Sequence, residues 1–149
     1  MIIRKALMED VEALIEIGKR GHEASDNRAY EFDELRGKLF IASCICNKGT
    51  CAFVAEVDGK IVGFIYGKEE QYPYVKMRYA TDLAIYSEAP GAGRALIDRF
   101  TKWAFEDRKV EQLILAVSHG GKSAQGVTAL YHRLGFELVG GLFTKQRQA

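Results

Sequence analysis

The stretch that decides the fold is Asp82-Leu-Ala-Ile-Tyr-Ser-Glu-Ala-Pro-Gly-Ala-Gly-Arg-Ala-Leu-Ile97. It predicts the end of a strand, a glycine-containing turn and the first turns of a helix. The first amides of a helix have no partner inside it, and the helix dipole adds positive potential, so such a point favours an anion. Gly91 and Gly93 would let the main chain approach a pyrophosphate closely. On these residues alone, phosphate binding and an ordinary helix start are equally good interpretations.

Two other phosphate motifs can be compared with this stretch. A dinucleotide-binding fingerprint needs a third glycine, and Leu96 occupies that position. The triplet Gly121-Lys122-Ser123 resembles the end of a P-loop, but Ala116 stands where the first glycine is required. A nucleotide-binding protein of either type is therefore disfavoured.

Outward from this stretch, apolar periodicity predicts the remaining elements. Asp58-Gly59 suits the tight turn of a β-hairpin, and Asp33 suits a helix N-cap. The predicted strands cover residues 2–5, 51–57, 61–66, 75–86, 112–117 and 136–145, and the predicted helices cover residues 8–21, 33–46, 93–107 and 123–134. The order is β-α-α-β-β-β-α-β-α-β.

The composition is that of one globular domain spanning residues 1–149, with 48% hydrophobic residues. The formal net charge is +1, from 21 basic and 20 acidic side chains, so a nucleic-acid partner is not indicated. Acidic residues interrupt the apolar residues near the N-terminus, and no apolar run is long enough for a membrane span. We expect a cytoplasmic protein without membrane contact.

The three cysteines lie close together, at Cys44, Cys46 and Cys51. Their odd number argues against a disulfide framework. Structural zinc sites have four ligands, with pairs separated by two to four residues, and only one residue separates Cys44 from Cys46. We expect no metal, and thiols that serve as small buried hydrophobic groups.

Residues 88–93, Glu-Ala-Pro-Gly-Ala-Gly, resemble the acetyl-CoA loop of the GNAT superfamily of N-acetyltransferases, which reads Gln/Arg-x-x-Gly-x-Gly/Ala. The stretch Ala129-Leu-Tyr-His-Arg-Leu-Gly-Phe136 is similar to the family's Leu-Tyr-x-x-x-Gly-Phe segment, and the N-terminal Arg4-x-Ala6 and Asp10 also agree. The resemblance covers nearly the whole chain. The stretch from Gly135 to Lys145 more weakly resembles small bacteriophage-encoded members.

The resemblance implies an α+β fold, with a mixed, mostly antiparallel central sheet flanked by helices on both faces. It implies acetyl-CoA as cosubstrate and no metal. The implied coenzyme-binding residues are Leu83, Ala84 and Ile85 on the strand and Gly91, Ala92, Gly93, Arg94 and Ala95 in the loop and helix start. Glu88 departs from the family pattern and brings a carboxylate towards the expected pyrophosphate, while Pro90 removes one amide donor.

The resemblance also implies direct attack by a primary amine, with an oxyanion stabilised by a strand amide near Leu83 or Ala84. Tyr131 matches the family's tyrosine beside the coenzyme sulfur, which returns a proton to the departing thiolate; an amphipathic core tyrosine is the alternative. The candidate bases are Asp82, Glu70 with its neighbour Glu69, and His119, or a water relay to any of them.

The acceptor is an amine-bearing small molecule or a protein amine, and the sequence does not identify it. Four aromatic residues in the segments that line the acceptor side could stack on it or belong to the core: Tyr30, Phe32, Tyr72 and Tyr74. A coenzyme A-binding or regulatory module with weak or no catalysis is the alternative function. The resemblance also allows a homodimer.

Overall fold

The computed structural model describes residues 1–117 and 122–148. Its elements in chain order are β1 (Ile2–Lys5), α1 (Val11–Glu23), α2 (Glu34–Cys46), β2 (Thr50–Val57), β3 (Lys60–Gln71), β4 (Arg78–Ser87), α3 (Ala92–Lys102), β5 (Gln112–Ile114) and α4 (Lys122–Arg133). A short 3-10 turn, Met8–Asp10, precedes α1, and a π-helical turn, Trp103–Asp107, extends α3.

The strands form one sheet in the order β1-β2-β3-β4-β5. The first three pairings are antiparallel, and β4 pairs with β5 in parallel through the α3 crossover. The predicted hairpin between β2 and β3 is confirmed. Asp58 and Gly59 both have positive φ, as a two-residue turn that matches the twist of the strands requires.

Helices cover both faces of the sheet, as predicted. Side chains alternate along β2, so that Phe53 faces α3 while Val54 faces α1 and α2. One core lies between the sheet and α3 and includes Ile65, Leu96, Phe100 and Trp103. The other lies under α1 and α2 and includes Leu14, Ile15, Ile17, Ile41, Phe64 and Tyr66.

The strand predicted over residues 136–145 is wrong. This segment has no strand conformation, because nothing in the described part of the chain pairs with it and a strand needs a ladder partner. The predicted strand over residues 112–117 is also shorter, ending at Ile114, where β5 leaves β4. None of the described helices is both long and apolar enough to cross a membrane.

Candidate active site

A β-bulge interrupts the pairing of β3 with β4. Tyr66 is opposite Ala84 and Gly67 is opposite Asp82, so Leu83 has no partner on β3. At the bulge, Phe100 of α3 packs directly against the backbone of Gly67. A Cβ atom on Gly67 would clash with the Phe100 ring at Cε2, so only glycine fits. The bulge changes the direction of β4 at the residues predicted to contact a coenzyme.

A gap opens between β4 and β5 next to this bulge. The two strands pair only from Tyr79 with Gln112 to Thr81 with Ile114. Beyond Thr81, β4 continues to Ser87 with no β5 partner among the described residues. Main-chain groups of β4 on this side are therefore available to a ligand that enters the gap.

Asp82 and Tyr131 meet at the base of the gap through the main chain of Ala116. The Ala116 amide donates to Asp82 Oδ1 at 3.2 Å, and the Tyr131 hydroxyl donates to the Ala116 carbonyl at 3.2 Å. Tyr131 is buried, and its ring packs against Phe136 with 5.7 Å between centroids. Two predicted catalytic residues thus lie on opposite sides of one peptide segment.

The surroundings change the proton affinity of both groups. Burial raises the pKa of Tyr131 to about 12, and the charge of Asp82 adds to that effect. Burial also raises the pKa of Asp82, against the opposing hydrogen bond from the Ala116 amide. At neutral pH the phenol therefore keeps its proton and can act as a donor.

The loop after β4 leaves the start of α3 open. Gly91 is the N-cap, with φ of 79°, in the left-handed region that favours glycine. The Ala92 amide donates to the Ala89 carbonyl and the Ala95 amide donates to the Gly91 carbonyl. No side chain caps this end, and the amides of Gly93 and Arg94 have no acceptor among the described residues.

Glu88 is paired with a residue that sequence reasoning missed. Arg20 of α1 donates to Glu88 from Nε at 2.6 Å and from Nη2 at 3.2 Å. This hydrogen bonding with Arg20 lowers the pKa of Glu88. The guanidinium compensates the carboxylate charge that the sequence brings towards the loop. No local pattern signals this pair, because 68 residues separate its members.

A family model matches most of the chain. The model for the acetyltransferase (GNAT) family matches residues 11–136. The chain belongs to this family. No curated protein sequence matches this GNAT chain.

Solved structures of other proteins share the GNAT fold with this chain. A ribosomal-protein-alanine N-acetyltransferase from Brucella melitensis biovar Abortus 2308 has a TM-score of 0.71 at 16% identity, with 99% of both chains covered. A predicted acetyltransferase with acetyl-CoA from Clostridium acetobutylicum has a TM-score of 0.74 at 18% identity, covering 97% of this chain and 95% of that one. A GNAT-family acetyltransferase from Streptococcus pneumoniae has a TM-score of 0.75 at 19% identity, covering 99% and 92%. At these identities the likeness shows the fold alone.

The remaining base candidates of this GNAT domain lie elsewhere. Gly67 and Asp82 share the α3 face, and because side chains alternate, Glu70 lies on the opposite face. Its carboxylate pairs with Lys68 at 2.6 Å. Glu69 is bound by Arg108 at 2.7 Å and 3.0 Å. The structure therefore brings neither glutamate to Asp82 and Tyr131, and His119 lies outside the described residues.

The predicted acceptor aromatics do not form one group. Phe32 packs against the core under α1 and α2, and its ring lies 5.6 Å from that of His22. Tyr72 packs on Tyr79 with 4.7 Å between ring centroids. Tyr30 and Tyr74 are exposed.

The thiols and other possible metal ligands form no site in the described part of the chain. Cys44 and Cys51 are buried, and burial raises the pKa of Cys51 to about 12, so this thiol stays neutral. Cys46 is exposed. Among the residues that the structure describes, no group of three or more His, Cys, Asp or Glu side chains could hold a metal ion.

Proposed function

We propose that this GNAT chain is an N-acetyltransferase that moves an acetyl group from acetyl-CoA to a primary amine by direct attack. One observation carries the proposal. The gap beside β4 and the open start of α3 lie at the two ends of one continuous segment, residues 82–94. The Tyr131 hydroxyl lies at the base of that gap, where it donates to the Ala116 carbonyl. A ligand with a diphosphate at one end and a reactive group at the other matches this arrangement.

The residues present fit such a coenzyme. The amides of Gly93 and Arg94 and the α3 dipole would hold the diphosphate. The β4 backbone at Leu83, Ala84 and Ile85 would bond the pantetheine arm, with Ala92 and Ala95 packing beneath the loop. The pairing of Glu88 with Arg20 offsets the carboxylate charge that would otherwise repel the diphosphate. The structure of the Clostridium acetobutylicum protein with acetyl-CoA, which shares the fold, supports the same assignment.

The transfer requires two proton movements. The amine nitrogen attacks the thioester carbonyl carbon, the C–N bond forms, and the C–S bond then breaks with the electron pair leaving on sulfur. Asp82, directly or through water, accepts the proton that the amine loses, since its raised pKa makes it a better base than an ordinary aspartate. Tyr131 donates a proton to the thiolate. A strand amide at Leu83 or Ala84 stabilises the oxyanion.

Asp82 also determines the expected pH dependence. Its carboxylate must be ionised to accept a proton, so kcat/KM should rise with pH through the raised pKa of Asp82. An Asp82→Asn variant should lose this rise and most of the activity. A rise of the same shape in Asp82→Asn would assign the base elsewhere.

Thermal unfolding with ligands is the direct test. Acetyl-CoA at a hundred times its Kd should add about 2.7 kcal/mol of stability, which corresponds to about 5–10 °C in Tm for a chain of this size. NAD and ATP should give no shift. Release of free thiol with at least one member of a panel of polyamines, amino acids and peptide N-termini should follow. A shift with acetyl-CoA but no thiol release with any amine would instead support a coenzyme-binding module.

A further inference from the structure

The hydroxyl of Tyr66 is buried without a partner. The residue is 3% exposed, and its Oη atom has no hydrogen-bond partner among the residues that the structure describes. Burial raises the pKa of Tyr66, so the hydroxyl keeps its proton at neutral pH and can both donate and accept. Such a group is unfavourable, because it has lost its bonds to water, and a binding role is one reason for a protein to keep it.

Tyr66 lies next to the candidate site. It is opposite Ala84 in the pairing of β3 with β4, directly beside the bulge at Leu83. Residues opposite each other in an antiparallel pair carry their side chains on the same face, with Cβ atoms about 5 Å apart. Tyr66 and Ala84 share the face that α1 and α2 cover. Since the amide of Leu83 or Ala84 is the proposed oxyanion donor, Tyr66 stands beside the expected thioester carbonyl, on the face opposite to α3.

Tyr66 also belongs to a row of four aromatic rings on this face. Phe64 stacks on Tyr66 with 4.7 Å between ring centroids, and Phe40 of α2 meets Tyr66 edge-on at 5.5 Å. Tyr86 of β4 lies 6.3 Å from Phe64. Aromatic faces and edges attract other aromatic rings in the same stacked and edge-on arrangements. This aromatic row therefore favours a ligand that carries an aromatic ring.

Phe40 connects the aromatic row to the surface. Its ring is 39% exposed. It lines an open cavity of about 540 Å³ together with Arg36, Gly37 and Leu39, and the same ring packs on Tyr66. The volume is in the range of small-molecule sites. A rotation of the Phe40 side chain would join this cavity to the Tyr66 hydroxyl.

We propose that Tyr66 binds the acceptor and that the acceptor is an arylalkylamine, a primary amine joined to an aromatic ring by a short alkyl chain. The inference rests on the proposed function. The neutral amine donates one N–H to the Tyr66 oxygen, which leaves the nitrogen lone pair free to attack the thioester carbonyl, and its ring packs on the aromatic row. The C–N bond forms and the C–S bond breaks. The amine proton passes through water to Asp82, and Tyr131 protonates the thiolate.

The test is calorimetric titration of the full chain with phenethylamine, with free coenzyme A present so that no transfer occurs. Phenethylamine should bind about tenfold or more tightly than butylamine, which has the same amine but no ring. Tyr66→Phe should weaken the Kd for phenethylamine by about tenfold, because it removes the hydrogen bond to the amine. Tyr72→Phe is the matched control, since its hydroxyl donates to Gln112 Oε1. It should leave this Kd unchanged.

Two further measurements separate binding from a structural role of Tyr66. Without ligand, Tyr66→Phe should raise Tm by about 2–4 °C, because the variant no longer buries an unpaired hydroxyl. Weaker binding can then not result from a damaged fold. In thiol-release assays, the same variant should raise the KM for phenethylamine by about tenfold, with kcat within about threefold of the parent. The Kd for acetyl-CoA should not change.

The proposal is overturned if phenethylamine binds no better than butylamine, if Tyr66→Phe leaves the Kd for phenethylamine unchanged, or if Tyr72→Phe weakens it equally. Selective binding of phenethylamine that depends on Tyr66, without thiol release from acetyl-CoA, would support the binding site and contradict the proposed transfer. The two failures are therefore distinguishable, because one is measured as binding and the other as turnover.

Discussion

The Tyr131→Phe variant isolates one hydroxyl at the candidate site. The phenylalanine ring keeps the contact with Phe136 and fills the same space. The hydroxyl donates to the Ala116 carbonyl at 3.2 Å and is the proton donor in the proposed reaction. The substitution therefore removes one hydrogen bond and one proton source.

The two losses have different sizes. A hydrogen bond of this kind contributes about 1 kcal/mol to stability, so Tm should fall by about 2–4 °C. A positioned general acid contributes about a hundredfold or more to the rate. The stability loss is a small part of the roughly 5–15 kcal/mol typical of a folded domain, so unfolding cannot account for a loss of that size. We expect kcat about a hundredfold lower and the Kd for acetyl-CoA within about twofold of the parent.

The assay is thiol release with the best amine of the panel, run beside calorimetric titration with acetyl-CoA. Tyr72→Phe is the matched control, because it removes a tyrosine hydroxyl that donates to Gln112 Oε1 at 3.1 Å, away from the gap. Its kcat should be unchanged. Because the pKa of Tyr131 is about 12, the parent should also keep its activity up to about pH 10.

Three results would refute this reasoning. A kcat for Tyr131→Phe within twofold of the parent would remove Tyr131 from the chemistry. An equal loss in Tyr72→Phe would indicate a general effect of hydroxyl removal. A loss of acetyl-CoA affinity as large as the loss of kcat would make Tyr131 a binding residue rather than a proton donor.

Three stability predictions follow from the backbone and the N-terminal ion pair, each measured by urea unfolding. Gly91→Ala should cost about 1–2 kcal/mol because the φ of 79° disfavours a side chain, and it should weaken acetyl-CoA binding; an unchanged midpoint would contradict this. Gly67→Ala should cost about 1–3 kcal/mol through the clash with Phe100, and adding Phe100→Leu should relieve the clash, giving a coupling energy clearly different from zero. Asp10→Asn should cost about 1–3 kcal/mol, because Arg4 binds that carboxylate at 2.7 Å and 3.0 Å. Since Arg4 lowers the pKa of Asp10, the parent should lose this stability as pH falls below about 4. The free energy of unfolding of Asp10→Asn should depend less on pH, and an equal pH dependence in both proteins would contradict the proposed role of the ion pair.

Local sequence signals predicted much of the fold and of the local structure around the candidate site. The turn at Asp58-Gly59 and the N-cap at Asp33, which accepts from the Arg36 amide at 2.9 Å, depend on neighbours within a few residues. The same holds for the glycine at the start of α3. Such features are readable from sequence because turn and cap chemistry is complete within about four residues.

Contacts between distant segments were not predictable in this way. The bulge at Leu83 depends on which residue of β3 faces β4, and the pairing of Glu88 with Arg20 depends on how α1 lies on the sheet. Glu70 and Asp82 lie on opposite faces of the sheet because of the register in which β3 pairs with β4. The sequence pattern of β4 alone does not fix that register.

The sequence by itself determined the order of most elements, the glycine-containing turn before α3 and the position of Tyr131 in α4, because each rests on propensity, periodicity or a short motif. The tertiary structure decided that Asp82 and Tyr131 meet at Ala116 and that β4 and β5 separate beside them. It also decided that residues 136–145 form no strand with the described part of the chain. These outcomes depend on strand register and helix packing, and both are settled only when segments far apart in the sequence come into contact.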